Sequence, residues 1–170
     1  MEPKSLQDMF RLRKFIINDL ETVTRINQTC LPENYTDFFF IDLARRFPET
    51  FIVAEENGEV VGYIMCHIEV GLSNFGLGGL TKKGHIVSVA VMPEHRRKGV
   101  GEALVTKAIE GMRLYGAKQC YLEVRMTNEE AIKLYKRLGL EVTRTIRSYY
   151  ADGEDACVMS RKVQEKRVVY

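Results

Sequence analysis

His85-Ile-Val-Ser-Val-Ala-Val-Met-Pro-Glu-His-Arg-Arg-Lys-Gly-Val-Gly101 is the stretch that decides the fold. It is a Val-rich apolar run, broken at Pro93, followed by a short basic loop with two glycines. An amphipathic pattern begins at once. Val100, Ala103, Leu104, Ala108 and Met112 recur at helical spacing to about Tyr115, and Gly116 closes the pattern. A strand, a Gly-containing turn and a helix start make a cradle for an anion. The first N–H groups of a helix have no acceptor inside it, and the macrodipole is positive there. Gly99 and Gly101 tolerate unusual dihedrals and let a phosphate approach the backbone. Arg96, Arg97 and Lys98 add positive charge beside them. Taken alone, the same residues also read as a tight turn with a solvated basic face.

Downstream, residues 119–126 read as a strand, so the two strands joined by the long helix should lie parallel. Thr127-x-x-Glu130 offers a capping box, or Asn128 caps directly, ahead of a helix that carries Ala131, Leu134, Tyr135 and Leu138 and stops at Gly139. Strands at about 140–149 and 155–162 close the pattern. Upstream, residues 10–17 read as a first strand after a frayed terminus at 1–9. Asn18 or Asp19 caps a helix to about Asn27. Pro32 bars its continuation, and Thr36 or Asp37 starts a second helix, to about Phe47, packed with Phe38, Phe39, Phe40, Ile41 and Leu43. Strands at about 50–56 and 60–70 flank Asn57-Gly58, a strong hairpin signal. Residues 71–84 read as a long Gly-rich loop. The order is β-α-α-β-β-β-α-β-α-β-β, an α/β chain with one mixed sheet and helices on both faces, expected as a single domain over 1–170 with its core at about 10–163.

Composition narrows the function. With 170 residues, 45% apolar and 28% charged, the chain has enough apolar residues for a real core. A net charge of +2 is too small to point to nucleic acid or a membrane surface. Cys30, Cys66, Cys120 and Cys157 are widely spaced with no C-x-x-C, so no metal site is expected. Buried free thiols fit a reducing cytoplasm. Residues 1–10 carry charge and lack the apolar segment of a signal peptide.

Arg96-x-x-Gly99-x-Gly101 after such a strand resembles the pyrophosphate loop of the GNAT superfamily of acetyl-CoA-dependent N-acetyltransferases. The element order is similar too, over roughly residues 10–163. A narrower match lies in four segments: Leu31-Pro-Glu-Asn-Tyr35, Gly84-His-Ile-Val-Ser-Val-Ala-Val91, Tyr121-Leu-Glu-Val-Arg-x-x-Asn-x-x-Ala-x-x-Leu-Tyr135 and Tyr149-Tyr-Ala-Asp-Gly-Glu-Asp-Ala156. Together they resemble the catalytic subunit of NatA-type N-terminal acetyltransferases, most of all the archaeal single-chain form. The resemblance implies transfer of acetyl from acetyl-CoA, a co-substrate, to the α-amino group of protein N-termini, nascent chains at the ribosome included. Ser, Ala, Thr or Met-Glu starts are all compatible with it. A chain that stops soon after its last strand, with a short charged tail at 164–170, implies no required auxiliary subunit.

Each implied residue also has a plainer reading. Val89, Ala90 and Val91 are implied to bind the pantetheine arm through backbone groups, and are a core strand in any case. Arg96, Arg97, Lys98, Gly99, Val100, Gly101 and the backbone of Glu102 are implied to hold the diphosphate. His85 and Glu123 are implied to position a water for general base catalysis; in alternation Glu123 shares a face with Tyr121 and Arg125, away from the apolar Cys120, Leu122 and Val124. The plainer reading is a structural His–Glu pair. Leu31, Pro32, Glu33 and Tyr35 are implied to shape the peptide pocket, with Glu33 in catalysis or orientation, and read otherwise as loop packing and a solvated carboxylate. Tyr149 and Tyr150 are implied to cover the peptide, or are a cross-strand aromatic pair. Asn128 is a helix cap, a cofactor contact, or both. Tyr135 is implied to lie near the sulfur and protonate the thiolate.

An α-amine, with a pKa of about 7.7–8.0, needs only a mild base, whereas lysine at about 10.4 needs a stronger one. Rival readings are a GNAT enzyme acting on lysine side chains or small amines, and a non-enzymatic CoA-binding module.

Overall fold

The computed structural model describes residues 9–163. The reading of residues 1–9 as a frayed start, all but its last residue, and that of 164–170 as a charged tail lie outside them. The elements are β1 (Arg11–Lys14), α1 (Leu20–Cys30), α2 (Asp37–Arg46), β2 (Ile52–Glu56), β3 (Glu59–Leu72), β4 (Leu80–Val91), α3 (Val100–Leu114), β5 (Gln119–Arg125), α4 (Glu129–Arg137), β6 (Glu141–Ile146) and β7 (Ala156–Lys162). They follow the order expected. The seven strands form one mixed sheet in the order β1-β2-β3-β4-β5-β7-β6. β4 and β5, joined through α3, are parallel, with Lys83 opposite Gln119 and His85 opposite Tyr121. β5–β7 and β6–β7 are antiparallel.

The chain divides into two compact units, and strands β3 and β4 run through both. One comprises the chain through His67 with Val87–Gly111, the other Ile68–Ile86 with the chain from Met112 onward. In the first, α1 and α2 lay Val23, Ile26, Phe40 and Leu43 against Phe51, Val53, Tyr63, Met65 and Ala90. Burying a side chain such as Phe40 contributes about 1.5–3 kcal/mol. Thr36 caps α2, its hydroxyl accepting from the Phe39 N–H at 3.3 Å. Asn57 (φ 52°) and Gly58 (φ 81°) both lie in the left-handed region, the requirement of a type I′ hairpin turn. In the second unit, Cys120, Leu122 and Val124 of β5 are buried with Ala156, Cys157, Val158 and Met159 of β7.

Several expectations need correction. The Gly-rich segment is strand at both ends: β3 runs to Leu72 and β4 starts at Leu80, with the turn closed by Ser73 N–H to the Gly79 carbonyl at 3.1 Å. A ladder partner across the hairpin outweighs the local glycine signal. β1 is shorter than 10–17, because Ile17–Asp19 form a 3₁₀ turn. Asp19 does not cap α1 by its side chain. Its carboxylate takes the Arg13 guanidinium at 2.7 and 2.8 Å and the Ile16 N–H at 2.9 Å. Phe38 is not a packing residue, being 77% exposed on α2. Of the two caps offered for α4, Asn128 serves, accepting from the Ala131 N–H at 3.2 Å, while Thr127 donates to Glu154 at 2.5 Å.

Candidate active site

The residues singled out in the sequence divide between the two units. In the first unit, β4 alternates: Ser88 and Ala90 are buried, and Val87, Val89 and Val91 are half-buried on the other face. The buried face is anchored by a 2.6 Å hydrogen bond between Ser88 Oγ and Tyr63 Oη, whose pKa burial pushes up to about 12. The 31–35 loop is pinned to this strand. Tyr35 Oη donates to the Val87 carbonyl at 3.4 Å, and Tyr35 stacks on Phe39 with centroids 5.0 Å apart. Asn27, fully buried, reads the loop's backbone: its Nδ2 donates to the Glu33 carbonyl at 3.1 Å and its Oδ1 accepts the Tyr35 N–H at 3.3 Å. The sequence reading passed over Asn27, which stands one turn before the end of α1 among apolar neighbours. A buried amide in such a place must find partners, and that was the available signal.

After β4 the chain makes a 3₁₀ turn at Pro93–His95 and then a left-handed one: Arg97 has φ 63° and Gly99 φ 82°. The helical ladder of α3 opens with Ala103 N–H to the Gly99 carbonyl at 3.0 Å. By helix geometry the N–H groups of Val100, Gly101 and Glu102 precede that ladder. Val100 is buried and anchors the helix start, and the Glu102 side chain is exposed. The three basic side chains are not equivalent. Lys98 Nζ pairs with Glu56 Oε1 at 3.3 Å, beside a hydrogen bond that Glu56 Oε2 accepts from His95 Nδ1, and Arg96 Nε donates to the Val91 carbonyl at 2.8 Å. Hydrogen bonding to His95, opposed by partial burial and reinforced by Lys98, lowers the Glu56 pKa. Part of the positive charge expected at this loop is therefore balanced within the protein.

In the second unit, His85 and Glu123 are brought together across the β4–β5 pair, His85 Nε2 to Glu123 Oε2 at 2.6 Å. Both stay partly open, with side chains 22% and 15% exposed. The alternation expected of β5 holds: Tyr121, Glu123 and Arg125 are half-buried while Leu122 and Val124 are buried. If Nε2 carries the proton shared with Glu123, Nδ1 presents a lone pair. Tyr121 stacks on the imidazole with centroids 4.5 Å apart and planes within 6°. Arg125 grips the turn before β7, at 2.8 Å from both Asp152 and Glu154, and lies 4.0 Å above the Tyr150 ring. Hydrogen bonds from Thr127 first and Arg125 second hold the Glu154 carboxyl below its usual range. Tyr149 and Tyr150 meet edge to face at 5.0 Å within that turn, rather than pairing across strands. Tyr135 is buried on α4, and burial pushes its pKa up to about 12, so its hydroxyl keeps its proton near neutrality. The Cys120 thiol is pushed up to about 11 by burial, which makes it a poor nucleophile.

Among the described residues, no group of three or more His, Cys, Asp or Glu side chains is arranged to hold a metal ion. None of the described helices is long and apolar enough to cross a membrane.

Comparison with known proteins identifies the class. The acetyltransferase (GNAT) family model matches residues 20–140, and the chain belongs to this family of enzymes. It is 46% identical to a protein of Sulfurisphaera tokodaii named N-alpha-acetyltransferase, over 89% of this chain and 92% of that one. A crystal structure of Ard1 from Thermoplasma volcanium superposes with a TM-score of 0.79 at 36% identity, over 92% of this chain and 99% of that one. Arabidopsis thaliana Naa50, solved with the bisubstrate analogue CoA-Ac-MVNAL, gives a TM-score of 0.75 at 27% identity, over 90% of this chain and 98% of that one.

Proposed function

We propose that this chain transfers acetyl from acetyl-CoA to the α-amino group of protein N-termini, as a NatA-type enzyme. The observation that carries the reading is the 2.6 Å His85–Glu123 pair in a chain 46% identical to a named N-alpha-acetyltransferase. The family match spans residues from both units, which supports one catalytic domain with its core at about 10–163. The buried free thiols Cys66, Cys120 and Cys157 support a reducing compartment, the cytoplasm. Its protein substrates are chain starts, including nascent chains at the ribosome.

The residues present suit a CoA diphosphate. Val100, Gly101 and Glu102 offer backbone N–H groups at a helix start behind a left-handed Arg97 and Gly99, whereas the Arg96 N–H is already taken by the Pro93 carbonyl. Val89, Ala90 and Val91 offer strand backbone to the pantetheine amides. Asn128 is committed to its cap, and its remaining amide N–H atoms are the part able to reach a ligand.

Acetyl-CoA supplies an acetyl group activated as a thioester. The attacking amine loses one proton as its nitrogen bonds to the acetyl carbon, and His85, held by Glu123, takes that proton directly or through a water. A backbone N–H of Val89–Val91 faces the carbonyl oxygen as negative charge develops on it. The carbon–sulfur bond breaks, and Tyr135, still protonated, donates to the departing sulfur. A thiol pKa of about 8.5 makes this last help modest. Leu31, Pro32, Glu33 and Tyr35 receive the chain start, with Glu33 orienting its amine, and Tyr149 and Tyr150 cover it.

Mass spectrometry of two matched lysine-containing peptides, one with a free and one with a blocked N-terminus, tests the reading. Acetyl on the free α-amine alone is expected. Acetylation of lysine in the blocked peptide would transfer the assignment to the side-chain enzymes of the family, and no thiol release with either would leave only CoA binding.

A further inference from the structure

We propose that Tyr121 is a positioning residue for His85, held in place by Glu69 and Lys83. The proposal deepens the reading of His85 and Glu123 as the proton-accepting pair and rests on it.

The geometry starts from the sheet. His85 and Tyr121 stand opposite one another in the parallel β4–β5 register. Their rings lie 4.5 Å apart and within 6° of parallel. A hydrogen bond from Nε2 to Glu123 fixes one point of the imidazole. Rotation about Cβ–Cγ displaces Nε2 less than Nδ1, so this hydrogen bond restrains the ring plane weakly, and it is the plane that aims Nδ1, the atom left to accept a proton when Nε2 carries the one shared with Glu123. Histidine's second side-chain torsion has broad wells, so local preference does not settle the matter. A stacked ring does, because it sets the plane.

Tyr121 is itself clamped. Its hydroxyl donates to Glu69 Oε1. Burial first, and the Glu69 bond second, raise its pKa, so the phenol remains a donor. The Lys83 ammonium lies 4.7 Å from the centroid of the Tyr121 ring, an electrostatic attraction to the π face. Lys83 is buried, 8% exposed, and its Nζ donates to Asn74 Oδ1 at 3.0 Å. Asn74 is tied down in turn, its N–H to Gln119 Oε1 and its Nδ2 to Ser160 Oγ, both at 2.9 Å. An ammonium taken out of water toward an amide and a ring is a costly placement. A fold needing only a filled space there would be better served by an apolar side chain. Orientation of the ring that orients His85 accounts for the charge.

The test uses Tyr121→Leu, which removes the ring, Tyr121→Phe, which keeps the ring and loses the Glu69 bond, and Lys83→Met, which keeps the stem and loses the charge. For each folded variant, kcat and both KM values are measured together with the ring ¹⁵N shifts of His85. Tyr121→Leu is expected to lower kcat about tenfold or more while KM for acetyl-CoA changes less than about twofold. Its His85 nitrogens should move toward the averaged values of an imidazole exchanging between its two tautomers, as the misaligned ring loosens its bond to Glu123. Tyr121→Phe should restore most of both, with Lys83→Met between. In a His85→Ala background, Tyr121→Leu should cost no more than about twofold further. His85 shifts unchanged in Tyr121→Leu, or an equal rate loss in both backgrounds, would overturn the proposal. Should Tyr121→Leu not fold, Tyr121→Phe and Lys83→Met are judged on the same two readouts. His85→Ala at the wild-type rate would end the base assignment instead, while the ¹⁵N spectra would still decide whether Tyr121 orients the ring.

Discussion

The turn that leads into α3 and the His85–Glu123 pair are built from different materials. The turn works with main-chain amides. Its needs are a left-handed φ at Arg97 and Gly99 and a helix start behind them, and its basic side chains are partly engaged, Lys98 with Glu56 and Arg96 with the Val91 carbonyl. The pair works with side chains, each placed by a specific neighbour. The difference predicts where single substitutions matter: backbone geometry in the first region, functional groups in the second.

The largest effect should come from the side-chain region. His85→Ala and Glu123→Ala should each lower kcat/KM by roughly 10²–10⁴, the usual contribution of a positioned acid or base. Steady-state rates within twofold of wild type, in folded protein, would remove catalysis from that side of the contrast. Next comes the backbone region. Gly99→Ala places a Cβ at φ 82°, a strain of about 1–2 kcal/mol. It should raise KM for acetyl-CoA about tenfold with little change in kcat, and lower the urea midpoint. A normal KM with lowered stability would mean the turn is structural.

Tyr135→Phe should lower kcat by about threefold to tenfold, less than Glu123→Ala, since the thiolate leaves readily. The same residue makes a stability prediction. Burial raises its folded pKa to about 12, above the value of about 10 for an unfolded tyrosine. Its contribution is then complete below pH ~10 and is lost as pH rises toward ~12, because the unfolded chain gives up the proton first. Urea midpoints across that range should fall less steeply in Tyr135→Phe. The smallest effect is expected from Lys98→Met: KM for acetyl-CoA should rise less than about threefold, because Glu56 already balances this half-buried charge. A tenfold rise would show that side-chain charge, not backbone, dominates the turn.

Much of this was legible in the chain. The Asn57-Gly58 hairpin, the Thr36 and Asn128 caps and the alternation of β5 rest on local rules, and each stands in the structure. The 71–84 segment reads as loop because its glycines announce a turn, while its strand ends are held by each other across the hairpin. Lys83 and Tyr121 went unremarked as site residues. Their polar or aromatic character at every second position, Lys83 with His85 and Tyr121 with Glu123, was the visible sign, but only register says which ring meets which.

The one-dimensional pattern by itself determined the element order, the parallel linkage through α3 and the glycine turn, because these follow from periodicity and turn chemistry, and resemblance to a known family singled out His85 and Glu123. Only the tertiary structure decided that the imidazole and carboxylate meet at 2.6 Å, that Asn27 holds the 31–35 loop, that Lys98 is balanced by Glu56, and that a buried ammonium faces Tyr121. The physical reason is that a side chain's partner, burial and charge state are set by whatever another strand or helix brings opposite it, and no local window of sequence contains that neighbour.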